Sequence, residues 1–218
     1  MSNAIHGAII NKNINNVRSV LNSSPNLINI PRNRVGVYPL VTAMKFRAWN
    51  IANELLKRNP SRMHLIAALS LASEEGYLHM VRKILNHNAS IINAGKSGRW
   101  YTPLVAATQK GHTNIVKELL NRGARRNSLA LYHATLSRNP RLIKMLVNAG
   151  APPPMNRMQN FQPNARNILR RSVENRSRQI SRILGKKNVN AGGQPSGLSQ
   201  ELINKLIHES LRREKNEF

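Results

Sequence analysis

Residues 102–124, TPLVAATQKGHTNIVKELLNRGA, constrain the fold more than any other stretch of this chain. The spacing predicts two short helices in succession. Thr102 offers a capping hydroxyl, and Pro103 takes the first helical position, where no backbone N–H is missed. Leu104, Ala106 and Ala107 give the first helix a small-residue face. Gly111 and His112 interrupt it. Thr113 is placed to cap the second helix, whose apolar stripe is Ile115, Val116, Leu119 and Leu120. Gly123 supplies a left-handed residue that ends it. So short a pair cannot bury its own apolar face, so the rest of the chain has to supply neighbours.

It does, four times. The anchor residues are Ile5, Leu40, Leu69, Leu104 and Leu131, separated by 35, 29, 35 and 27 residues. Each is followed by a small residue and then by an apolar stripe: Val17, Val20 and Leu21; Ile51, Leu55 and Leu56; Met80, Val81, Ile84 and Leu85; Leu142, Ile143, Leu146 and Val147. The order Thr-Pro-Leu, Ala, Gly-His, Ile-Val, Leu-Leu, Gly-Ala in residues 102–124 resembles the ankyrin repeat, whose period is about 33 residues. The resemblance implies an all-α fold, an ankyrin-repeat solenoid of about five helix pairs, to which the residues beyond the repeats add a basic helical C-terminal tail. It also implies a binding face lined by the first helices and by the loops, or fingers, between pairs.

The slots depart from the template in two ways. Where Gly123 and Gly150 end their pairs, Asn59 and Asn88 stand in the second and third, and Asn is the next residue to tolerate a left-handed cap. The slot of Gly111 is kept by Gly76 but becomes Lys12, Arg47 and Arg138, so those turns are expected to differ in shape. The inter-pair loops alternate in length. Residues 23–37 and 89–101 are long enough for a β-hairpin finger, whereas 57–62 and 121–127 are short.

Three consecutive prolines, Pro152, Pro153 and Pro154, end the repeats. The expected domains are therefore 1–154, the repeats, and 155–218, a basic helical tail. Residues 164–185 set Ile168, Leu169, Val173, Ile180, Ile183 and Leu184 against a face of arginines. A Gly-rich linker follows, and a last helix is expected over 199–213. Its start, with Leu198, Glu201, Leu202, Lys205, Leu206 and Ile207, faintly resembles an F-box. That resemblance would imply a host-directed ubiquitin-ligase adaptor, but Ser199 stands where that family has Pro.

Charge narrows the partner. The chain carries 34 Lys and Arg against 9 acids, net +25, and all nine acids are Glu. The excess lies mainly in the repeats, which hold 21 basic and 4 acidic residues before position 155. A small domain needs only about +2 to +8 for solubility, so the excess points to acidic partners. Arg outnumbers Lys 22 to 12, which favours bidentate binding of carboxylate or phosphate.

Catalytic chemistry finds little support. With no Cys and no Asp, neither a thiolate zinc site nor a Ser-His-Asp set can be assembled, and no His pair has metal spacing. Gly95-Lys96-Ser97 lacks the earlier Gly of a phosphate loop, Ser90 standing in its place, and reads as a basic finger tip. We expect no enzyme activity, no metal and no cofactor. No apolar run reaches the roughly 20 residues of a membrane span, and the start lacks a signal peptide. An intracellular location, or packaging in a virion, is expected.

The candidate partner-binding residues are Arg32, Arg34, Arg62, Lys96, Arg99, Trp100, Tyr101, Arg125 and Arg126 in finger-side loops, and Arg170, Arg171, Arg178 and Arg182 in the tail. The expected function is a non-enzymatic protein–protein interaction scaffold that docks acidic protein surfaces within a multi-protein assembly. A minor capsid or cementing component of a large virus particle fits this composition. Sequence-blind nucleic-acid binding is the alternative, since no sequence-reading motif is present. Truncating Leu119 or Leu120 to Ala is expected to cost roughly 2–5 kcal/mol.

Overall fold

The computed structural model describes residues 2–32, 37–95 and 101–152, and farther on 167, 168, 171, 174, 175 and 178. Among them are ten α-helices and no strand. The helices come in pairs: α1 (Ser2–Ile10) with α2 (Ile14–Ser23), α3 (Pro39–Lys45) with α4 (Trp49–Lys57), α5 (Arg62–Glu75) with α6 (Leu78–His87), α7 (Pro103–Gln109) with α8 (Thr113–Asn121), and α9 (Ser128–Leu136) with α10 (Pro140–Ala149). The chain divides into two compact units, one ending at Ala124 and one beginning at Arg125. In the first, α1, α3, α5 and α7 stack in order, and each first helix packs on its own second helix. In the second, α9 packs on α10. The fold is an all-α solenoid of helix pairs.

The periodic residues make the core. Ile5, Leu40, Leu69, Leu104 and Leu131 are at most 1% exposed, each a burial worth about 1.5–3 kcal/mol. Three positions after each anchor stands an alanine, Ala8, Ala43, Ala72, Ala107 or Ala134, and all five are buried. A larger side chain there would overpack the space between neighbouring first helices. The second helices bury Val17, Leu21, Ile51, Leu55, Met80, Val81, Ile84, Leu85, Ile115, Val116 and Leu119. Leu120 is only half-buried, so the stripe in α8 is narrower than its sequence suggests, and the large truncation cost belongs to Leu119.

Local chemistry sets the helix ends. Thr102 caps α7 by accepting from Val105 N (3.4 Å) behind Pro103. Asn13, Asn127 and Asn139 cap α2, α9 and α10 through their side-chain oxygens. The capping slots that Asp often fills elsewhere are thus held without negative charge. Thr113 is not a cap. It is the first residue of α8, and His112 holds the capping position without a side-chain capping bond. Instead, His112 Nε2 donates to the Glu74 carbonyl of the preceding pair at 2.9 Å.

Two further expectations change. Lys12, Arg47 and Arg138 adopt φ +53, in the same left-handed region as Gly76 (+84) and Gly111 (+79). All five intra-pair turns therefore share one backbone conformation. Asn59 does take the left-handed form (φ +53), but Asn88 is extended, at φ −149. Its side chain accepts from Ser90 N and Ser90 Oγ and so starts a 3-10 turn. The long loops open with such turns, Pro25–Asn29 and Ala89–Ile91, and the tips at which a hairpin finger would turn, 33–36 and 96–100, lie outside the described residues. The first is then closed by a 2.9 Å bond from Arg32 N to Val37 O.

Two successive pairs form a larger repeating unit. Arg18 of α2 bonds Glu54 of α4, and Arg58, the residue that follows α4, bonds Asn22 of α2, each across 36 positions. Arg82 of α6 bonds Glu118 of α8, and Arg122, the residue that follows α8, bonds Asn86 of α6, across the same 36. Every member of the second set lies 64 residues after its counterpart. The 3-10 turns begin at Pro25 and Ala89, again 64 apart. Alternation of long and short loops is the same fact seen in loop length. Between the two modules the second helices pack more sparsely, α4 on α6, than α2 on α4 or α6 on α8. Trp49 sits there, edge-on to Tyr77 (4.9 Å) and His79 (4.6 Å).

In the second unit α10 ends on Gly150 at φ +96. Farther along, residues 167, 168, 171, 174, 175 and 178 are helical. The expected linker, the helix over 199–213 and the F-box-like segment lie outside the described residues.

Candidate functional site

The inter-pair loops are tied down where they carry cations. Asn29 ends the first 3-10 turn, and its side-chain oxygen accepts from Ser61 N at 3.0 Å. The same oxygen lies 2.7 Å from His64 Nδ1, which also lies 3.0 Å from Ser61 Oγ. The Tyr38 ring covers His64, with centroids 3.7 Å apart. One loop is thereby fastened to the start of α5. Arg62 is the first residue of that helix, not a loop residue, and it is exposed. Arg32 is exposed on the fastened loop. It is close enough to His6 for its charge to act there. Burial is the main cause that holds the His6 ring below its ordinary pKa, and Arg32 adds to it, against a backbone bond at Ile30. The structure thus places Arg32 on a loop that Asn29 fastens to the start of α5, where Arg62 stands.

The other candidates have varied placements. Tyr101 is half-buried and donates its hydroxyl to Gln109 Oε1 at 2.8 Å, so it lies along α7. Burial, with the Glu74 charge nearby, raises its pKa. Arg125 and Arg126 are exposed between α8 and α9. Arg171 and Arg178 are exposed helical residues. Arg34, Lys96, Arg99, Trp100, Arg170 and Arg182 lie outside the described residues.

The carboxylates explain the electrostatics. Before residue 155 the chain has four: Glu54, Glu74, Glu75 and Glu118. Glu54 accepts from Arg58 (3.2 Å) and Arg18 (3.3 Å), Glu118 from Arg122 (2.7 Å) and Arg82 (2.9 Å). Hydrogen bonds from Arg58 and then Arg18 hold Glu54 below its ordinary pKa, and those from Arg122 and Arg82 do the same for Glu118. Glu74 pairs with Lys110 at 3.6 Å. All four sit on or at the end of helices. The segments between pairs, 24–38, 58–62, 88–102 and 122–127, contain no acid and nine Lys or Arg. Two of the four carboxylates are therefore held in helix–helix clamps, Glu74 and Glu75 lie at the end of α5, and the inter-pair segments carry only basic charge, with Arg58 and Arg122 of the nine engaged in the clamps.

Two features were missed in the sequence. The clamps escape notice because each joins residues 36 apart on different helices, and only the 64-residue spacing of Arg-x-x-x-Asn and Glu-x-x-x-Arg could have revealed them. The opposite edge, made by the intra-pair turns, carries exposed Lys12, Lys45, Phe46 and Arg47.

This geometry, paired short helices with a shared left-handed turn, has known relatives. Residues 69–156 match the family model described as ankyrin repeats in three copies. Residues 69–156 are thus similar to ankyrin repeats, and the helix-pair fold extends ahead of them. Rabankyrin-5 of Mus musculus is 31% identical over 140 residues, which is 60% of this chain and 12% of that protein. The chain therefore spans about an eighth of the length of this ankyrin relative. Human ankyrin repeat domain-containing protein 49 is 34% identical over 76 residues, 35% of this chain and 29% of that protein. A solved ankyrin repeat domain from Acinetobacter baumannii superposes with a TM-score of 0.60 at 22% identity, covering 77% of this chain and 96% of that one. No helix among the described residues is long and apolar enough to cross a membrane.

Proposed function

We propose that this ankyrin-repeat chain is a non-enzymatic interaction scaffold that docks acidic protein surfaces through its inter-pair loops. It would act as a structural or cementing component of a larger assembly, such as a large virus particle. One observation carries the reading: carboxylates lie on the helices and are absent from every inter-pair segment, and these segments hold nine cations, of which Arg58 and Arg122 are engaged by the clamp glutamates. A basic surface on a stiff scaffold attracts acidic partners over a Debye length and sets orientation more than raw affinity. Arginine suits this role because its fork pairs with a carboxylate through two parallel bonds.

The test uses the full chain and a triple variant, R32Q/R62Q/R126Q. An acidic protein, a DNA duplex and an RNA hairpin are titrated at rising salt. Preferential, salt-sensitive binding of the acidic protein, weakened about tenfold or more by the variant, supports the scaffold. Binding of both nucleic acids in place of the protein, with a steep linear dependence on log salt, replaces it with sequence-blind nucleic-acid binding. No binding of the acidic protein even at low salt removes the proposal.

A further inference from the structure

The five intra-pair turns have one backbone conformation and different residues at its left-handed position. Gly76 is fixed by packing, because a Cβ there would lie 2.8 Å from His112 Cε1. At Gly111 a Cβ would meet nothing within 4 Å. Lys12 and Arg47 hold the same position at φ +53, where an L-residue with a side chain is disfavoured. Their backbone bonds gain nothing from the side chain. Lys12 N and Arg47 N each donate at 3.0 Å to the residue three before, and Gly111 N does the same at 3.1 Å. Neither side chain has an ion pair or hydrogen bond among the described residues, and both are exposed. Strain that the fold itself does not use is evidence for a use outside it.

The surroundings give that use a chemistry. Lys45 and Phe46 precede Arg47, and Phe46 is 42% exposed. The turns of pairs one and two are neighbours because α1 stacks on α3. The cationic run ends at pair three, whose turn carries Glu74 and Glu75. We propose that the turns of the first two pairs form a docking edge for an acidic protein segment. Lys12, Lys45 and Arg47 take its carboxylates, and Phe46 takes an apolar side chain. Two neighbouring turns lie about 10 Å apart, one helix spacing. That is room for only about three phosphates of a strand, too few for the many-contact binding that holds nucleic acid. An exposed aromatic beside an arginine, as Phe46 is beside Arg47, is instead a usual anchor of a protein interface. This edge lies opposite the inter-pair loops. The inference rests on the reading that the partner is acidic, and not on where the loops bind.

The experiment compares K12G/R47G, F46S and the charge-matched R32Q/R62Q in the full chain. The probes are a fluorescein-labelled peptide of Glu-Glu-Phe-Gly repeats and a DNA duplex of equal charge, each at low and physiological salt. We expect K12G/R47G to weaken peptide binding about tenfold or more, and more than R32Q/R62Q does. F46S should weaken it about threefold or more with charge unchanged. Removing the strain should also raise the unfolding midpoint of K12G/R47G by about 2–4 °C, so lost binding cannot be lost folding. Equal losses in the two charge-matched variants would reduce the edge to net charge and overturn the inference. A loss only in R32Q/R62Q would overturn it while leaving the scaffold reading intact, and failure of the parent to bind the peptide at all would overturn both. A loss of duplex binding larger than the loss of peptide binding, or a lowered midpoint in K12G/R47G, also counts against it.

Discussion

Pairs one and two and pairs three and four are two versions of one 64-residue module, and they differ most where the core does not reach. Their clamps match residue for residue: Arg18, Asn22, Glu54 and Arg58 against Arg82, Asn86, Glu118 and Arg122. Their turns do not. The first module places Lys12 and Arg47 in the left-handed position, and the second places Gly76 and Gly111 there. Burial and inter-pair ion pairs set the register of a repeat protein, so they recur. Turn tips are free to vary, and variation toward strain marks the first module as the one shaped for contact.

The strongest test of this equivalence is in the core. Leu55 and Leu119 occupy the same slot and are both fully buried. Leu55→Ala and Leu119→Ala should each cost about 2–5 kcal/mol in urea unfolding. Costs that differ by more than about 2 kcal/mol would show that the modules are packed differently. Turns come next. Gly76→Ala meets both the left-handed backbone and the His112 ring, and should cost about 2–3 kcal/mol. Gly111→Ala meets only the backbone and should cost about 1 kcal/mol. Equal costs would mean that the His112 bond to Glu74 does not hold the two pairs together.

Clamps rank third. The Glu54 and Glu118 side chains are 14% and 16% exposed, with half-exposed arginines around them. Glu54→Gln and Glu118→Gln should each cost about 1 kcal/mol, less in high salt. A double-mutant cycle on Arg82 and Glu118 checks it, and a coupling indistinguishable from zero would reduce the clamp to a surface coincidence.

How much of this was legible follows from what each feature is made of. The helix pairs were readable because burial imposes a local period, and each anchor, Ile5 through Leu131, lies in the core. The Asn59 cap was readable for the same local reason. Asn88 was not, because its side chain has a competing use, capping the 3-10 turn ahead of it. The turns at Lys12 and Arg47 were misjudged because a residue type records preference, and three tightly spaced backbone bonds override it. Clamps depend on register between helices 36 residues apart, which no local pattern contains. Of the basic surface, the sequence shows how much charge exists. Where the acids sit, Glu54 and Glu118 at the helix clamps and all four away from the inter-pair loops, becomes meaningful only once the pairs are stacked.

Acidification separates the modules with the smallest effect. Burial lowers the pKa of His6 and His64, and His79 is lowered by burial with Lys83 nearby. Below the ordinary value of about 6.5 the unfolded chain binds protons that these folded imidazoles refuse, so stability falls as pH drops from there toward their folded pKa values. Glu54 and Glu118 act lower. Their folded pKa values are depressed, so their contribution is present above the ordinary carboxylate range and is lost as pH falls through the folded values. The slots 64 residues beyond His6 and His64 hold Ser70 and Ser128, which do not titrate. The upper window therefore belongs to the first module and to its joint with the second. Urea midpoints measured from pH about 7.5 down to about 5.5 should fall in the parent and flatten in His6→Ser. A decline of unchanged slope in that variant would assign the loss to His64 and His79 alone, and would free the α1–α3 contact between His6 Nδ1 and Thr42 Oγ1, 2.9 Å apart, from any part in it.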